Sequence, residues 1–144
     1  MVEIQGAELL TQIFGHWPSF HDAEVVRISL SRTSDFVLGP ACELEIHVFE
    51  MTSELDEKRR YVLRHHTLVT IRCEGVRESE LGGFNNQNVL GGLDLAEVER
   101  PGGDRIRWEL TLDPSYGVSA RFACESVRIV AVRAWNPETS SPAA

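Results

Sequence analysis

The chain has 144 residues and a mass of 16.2 kDa, with 22 acids against 14 bases and a formal net charge of −8. That length fits one domain, and a hydrophobic share of 42% is too rich for an intrinsically disordered chain. The acidity argues against nucleic acid or an anionic membrane as partner, because both are bound by neutralising their charge with Lys and Arg.

No stretch approaches the roughly 18 apolar residues of a spanning helix. The start, MVEIQGAELL, has an acid where a signal peptide would carry a base. A soluble, cytoplasmic protein is therefore expected. The charge is uneven: residues 1–57 hold 11 acids and two bases, Arg27 and Arg32, for a net of −9. The remainder is nearly balanced. A one-signed surface of that kind can steer a basic protein partner, although it also serves plain solubility.

Residues 7–14, AELLTQIF, set Leu9, Leu10, Ile13 and Phe14 at helical spacing. Two turns are marginal alone, so the apolar side must dock on something larger. Gly15 and Pro18 end the helix. Residues 24–32 then alternate as a strand, with Val26, Ile28 and Leu30 on one side. After the connection SDFVLGP, residues 41–50 give the cleanest period of two in the chain. Cys42, Leu44, Ile46 and Val48 face one way, and Glu43, Glu45 and His47 the other. SELDEKRR reads as a turn. Residues 61–75 read as a long strand or strand pair, in which His65-His66-Thr67 marks a bulge or bend.

Two Gly-Gly pairs bracket Phe84 to Leu90, which reads as an ordered loop or one helical turn. LDLAEVER is a strand, PGGD a turn, and RIRWELTLD a strand with Ile106, Trp108, Leu110 and Leu112 inward. Two more strands cover 117–135, one with Tyr116, Val118, Ala120, Phe122 and Cys124 on one side, the next with Val127, Ile129, Ala131, Arg133 and Trp135. The expected fold is α+β: a short N-terminal helix and a bent, mostly antiparallel sheet of six or seven strands, since the regular helices of βαβ units are missing. Residues 1–135 are expected to form the single domain, and 136–144 a frayed tail.

Few residues carry a chemical signature. Cys42, Cys73 and Cys124 are isolated, odd in number and near inward positions, as free core cysteines would be. Glu45, His47, His65 and His66 could converge on zinc only through a bulge, because neighbours on a strand point to opposite faces. Ser19, His21 and Asp22 lie too close in sequence for triad geometry. Lys58, Arg59, Arg60 and Arg64 could bind an anion, but Glu54, Asp56 and Glu57 precede them. No phosphate loop is present. No enzyme activity, cofactor or metal is expected.

The run Phe14 to Val25, FGHWPSFHDAEV, with GFNNQNV over 83–89, resembles a family of bacterial immunity proteins, immunity family fifty of the polymorphic toxin systems. The resemblance extends from about residue 9 to 133. It implies an α+β domain that binds and neutralises a cognate toxin. The residues carrying it are Trp17, Pro18, Phe20, His21, Asp22 and Glu24, with Phe84, Asn85, Gln87 and Asn88. They serve either to bind or to hold the turn and loop on the sheet. An inhibitor needs a scaffold and a complementary surface, and against a basic toxin the contacts would be Glu43, Glu45, Glu50, Glu54, Asp56 and Glu57. The alternatives are a binding or structural domain that forms a homodimer through a sheet edge, and a small metal-dependent hydrolase built on the histidines.

Overall fold

The computed structural model describes residues 4–33, 39–99 and 105–136, which hold one helix and eight strands. The stretch SDFVLGP falls largely, PGGD wholly and the tail 136–144 almost wholly outside the described residues.

Helix α1 spans Ala7–Phe14, and glycine closes it at both ends. Gly6 sits at φ 84°, where a Cβ would lie 2.2 Å from the carbonyl oxygen of Ile129, so only glycine lets the chain enter the helix this close to a strand. At the other end the Gly15 N–H donates to Thr11 O at 2.8 Å. Leu10 and Phe14 are buried in the core, giving this two-turn helix the tertiary support it needs.

The strands are β1 (Glu24–Ser31), β2 (Ala41–Leu55), β3 (Tyr61–Glu74), β4 (Glu78–Gly82), β5 (Val89–Glu97), β6 (Trp108–Tyr116), β7 (Ser119–Cys124) and β8 (Ser126–Ala134). They form one antiparallel sheet in the order β4-β7-β6-β5-β1-β2-β3-β8. Its two four-stranded halves meet in the middle at the pair Glu24 and Val89. β7 and β8 lie six places apart in that order, yet Glu125 alone separates them in the chain. The sheet therefore has to fold over on itself. At the corner the Glu125 N–H donates to Glu74 O at 3.0 Å, and the Arg77 N–H to Ala123 O at 2.9 Å. Cys42, Cys73 and Cys124 are buried free thiols of the core, in which Phe122 is the largest fully buried side chain.

The strand count is eight rather than six or seven. β4 escapes a reading by periodicity because it is an edge strand and its residues Ser79–Gly82 are all exposed. Two bulges also move side chains from their expected faces. In β1 the register shifts between Val25 and Arg27, so Val25 takes the core position and Leu30 ends up 56% exposed. In β8, Ile129 and Ala131 oppose the consecutive residues Ile71 and Thr70, and Ala131 and Arg133 turn outward. Tyr116 closes β6, exposed, instead of joining the inward set of β7.

One feature extends beyond the sheet. Among the described residues, β1 pairs with β2 only through Ala41–His47, and β8 with β3 only through Thr67–Glu74. Residues 49–66 therefore continue as a two-stranded arm, roughly 25 Å long at the usual rise per residue. Asp56 builds its tip by accepting from the backbone N–H of Lys58 at 2.8 Å and of Arg60 at 2.9 Å. Those bonds, the one from Arg60 foremost, hold the Asp56 carboxyl below its ordinary range.

Candidate interaction surface

The turn after α1 is packed from below and bonded from the side. Phe20 and Pro18 are buried, and Trp17 lies tilted on Phe20 with ring centroids 5.7 Å apart. The Asp22 N–H donates to Leu90 O at 2.8 Å, and the Leu90 N–H returns to Ala23 O at 2.8 Å. This exchange pins the turn to β5, with Asp22 at φ 67°, a conformation that Asp tolerates better than most residues. Glu24 stands at the seam, paired with His47 on one side and Val89 on the other.

The same contacts decide what Ser19, His21 and Asp22 can do. His21 Nδ1 lies 3.0 Å from Gly91 O, and since a carbonyl only accepts, that nitrogen carries the proton. Its Nε2 stands 3.6 Å from Asp22 Oδ1, and Ser19 Oγ accepts from the His21 backbone N–H at 3.2 Å. The hydroxyl oxygen takes a backbone N–H and the imidazole turns its donor to a backbone carbonyl, so the two side chains are not bonded to each other as a nucleophile and its base are. Among the described residues no group of three or more His, Cys, Asp or Glu is placed to hold a metal ion.

The amide loop closes mainly on itself. Asn88 is buried; its Oδ1 accepts from the Asn85 N–H at 2.9 Å and its Nδ2 donates to Asn85 O at 2.6 Å. Asn85 Oδ1 in turn accepts from the Gln87 N–H at 2.9 Å. The Val25 N–H donates to Asn88 O at 2.9 Å, so the loop is also tied to β1. Asn88 is a structural clamp by these contacts, whereas Phe84, Gln87 and His21 are exposed.

Between the turn and the base of the arm lies a cleft of about 450 Å³. Phe14, Phe49 and Met51 line it together with His16, His21, Asp22 and Glu50, and among the described residues no Lys or Arg does. The His65-His66-Thr67 bulge forms its neighbourhood: Val48 and Glu50 of β2 oppose Thr67 and Arg64, leaving one residue extra in β3, and His65 takes φ 57°. His65 stands edge-on to Phe14 at 6.0 Å, with Nδ1 3.4 Å from Glu50. His66 instead meets His47, ring on ring.

The acidic residues of β2 are mostly paired. Glu43 accepts from Arg72, with Nε at 2.8 Å, because the two are direct cross-strand partners. Glu54 pairs with Arg64, Asp56 with Arg60 at 3.3 Å, and Glu50 with His65. Glu45 and Glu57 make no ion pair among the described residues. Sequence reasoning missed the arm as a separate feature, as well as its four exposed apolar side chains Met51, Leu55, Tyr61 and Leu63. The available signal was the mismatch between these large apolar residues and the polar turn they flank.

The model of one protein family, described as immunity protein 50, matches residues 6–135, from the entry of α1 to just past the end of β8. No curated protein matches, and neither does any solved structure.

Proposed function

Because the chain belongs to the immunity protein 50 family, we propose that it protects the cell producing it by binding one cognate toxin and blocking it, without catalysis of its own. The carrying observation is the extent of the match: it takes in the helix and all eight strands, so the role belongs to this whole domain and not to an appended segment. The engagement of Ser19 and His21 by backbone groups supports a binding role over a hydrolytic one.

The toxin presents a basic face in this reading. The supporting fact is the concentration of negative charge in the first 57 residues, which raises the encounter rate with a positive partner. With most acids of β2 paired internally, charge acts here as a long-range field more than as a row of point contacts. The site of action is the cytoplasm. The test is co-expression with the C-terminal toxin domain encoded beside this gene, scored for growth and for a complex that co-purifies. Rescue together with a complex is expected; rescue without one, or toxicity unchanged, overturns the proposal.

A further inference from the structure

The arm bears an apolar face that stays exposed among the described residues. Met51 and Leu63 are direct cross-strand partners, as are Leu55 and Tyr61. The register shifts on β2 between Met51 and Leu55, but β3 runs regularly there: Tyr61 and Leu63, two apart, share a face, and each shares it with the residue directly opposite. All four side chains therefore stand on one side of the ribbon, exposed by 54%, 38%, 57% and 57% for Met51, Leu63, Leu55 and Tyr61. A two-stranded arm carrying a contiguous apolar strip has no role in closing the core, and such strips mark docking surfaces.

We propose that this face of the arm, together with the cleft at its base, is where the cognate toxin docks; the inference rests on the toxin-binding reading above. Met51 belongs to both features, so strip and cleft form one surface. Charge complementarity selects the occupant. The arm itself is balanced, with Glu50, Glu54, Asp56 and Glu57 against Lys58, Arg59, Arg60 and Arg64, so it repels neither sign. The cleft is not balanced: Asp22 and Glu50 line it, and among the described residues no Lys or Arg does. The surface thus fits a folded domain that lays apolar side chains along Met51, Leu55, Tyr61 and Leu63 and puts a Lys or Arg into the cleft. A second copy of this chain fits less well, because each copy carries a net charge of −8.

The experiment uses the full-length protein and the catalytically inactivated C-terminal domain encoded beside its gene as probe. Leu55→Ser with Tyr61→Ser is expected to weaken binding by roughly 100-fold, chiefly through faster dissociation. Tyr116→Ser and Leu30→Ser, at exposed apolar positions off the arm, are expected to leave it within about threefold. Amide exchange on the unaltered proteins gives a readout independent of whether the variants fold: the backbone over 51–63 should gain protection in the complex. Unchanged affinity of the arm variant, or no protection there, overturns this inference while the toxin-binding reading stands. A probe that does not bind the unaltered protein overturns both. A dimer of the unaltered chain that the arm variant turns into monomer reassigns the strip to self-association and overturns it too.

Discussion

The Nε2 atom of His47 lies 2.9 Å from Nδ1 of His66, and the two rings stack with centroids 5.1 Å apart. Two imidazoles in that contact share one N–H, since one nitrogen must donate and the other accept. A second proton would set N–H against N–H in a half-buried place. Burial first, and the neighbouring His66 second, push His47 down from 6.5 to about 4. Below the ordinary histidine value, the unfolded chain takes up the proton before the folded one. The contribution of neutral His47 is therefore complete above pH 6.5 and is lost as the pH falls towards 4. Urea midpoints should drop across that window by the equivalent of about 2–3 kcal/mol beyond what a His47→Phe variant shows. Equal pH slopes for the two proteins would contradict this account.

How far the fold was legible follows from where its information is local. The alternation over 42–48 needs only the period of two, and its faces lie as the side chains suggest. The interruption at His65-His66-Thr67 was visible for the same reason, and it is a bulge. β4 was hidden, because an edge strand buries too little to impose a pattern. The bulge at Val26 was hidden as well: two adjacent valines follow Glu24, and only pairing with β2 selects Val25 for the core. The acidic residues show the limit most clearly. Their sign is written in the sequence, but the neutralisation of Glu43 by Arg72 and of Glu54 by Arg64 depends on the register of a partner strand.

The three thiols should be chemically silent in the folded state. Cys42 faces Cys73 across β2 and β3, and Cys73 shares a hydrogen bond with Cys124. Burial pushes the Cys42 thiol up to about 12, and the bond to Cys124 followed by burial raises that of Cys73. The thiolate is the reactive form, so a thiol reagent at pH 8 should label these residues only as fast as the domain opens. All three should react at once in denaturant. Immediate labelling of any one in native buffer would mean that the corner between β7 and β8 is not closed.

The amide loop should respond to substitution as a piece of architecture. Asn88→Ala removes both bonds to the Asn85 backbone from a buried position and should cost about 2–3 kcal/mol. Gly117 stands at φ 77° with room for no side chain: a Cβ would lie 2.3 Å from Gln87 O. Gly117→Ala should therefore cost at least about 2 kcal/mol by displacing the same loop. Exposed Gln87→Ala should stay within about 0.5 kcal/mol. Denaturant curves for the three rank the loop's contacts. Toxin affinity of the Asn88 variant, measured where it remains folded, should equal that of the unaltered protein; a loss there would make the loop a contact surface.

Glu43 and Glu45 lie on the same face of β2, two residues apart, and should behave differently. Glu43 is bound to Arg72, a side chain only 16% exposed, so Glu43→Gln weakens a partly desolvated pair and should cost about 1 kcal/mol of stability. Glu45 has no such partner among the described residues. Glu45→Gln should leave stability within about 0.5 kcal/mol while shifting the net charge by one, whereas a Lys there would face Arg27, its cross-strand partner. If a basic toxin is steered by this face, the association rate of the Glu45 variant should fall several-fold at low salt. The difference should vanish at ionic strengths where the screening length drops to a few ångströms. The dissociation rate should barely move, because a rim charge acts on encounter and not on the docked complex. An association rate equal to that of the unaltered protein at low salt would remove this face from the approach path and leave the arm to carry recognition by apolar contact.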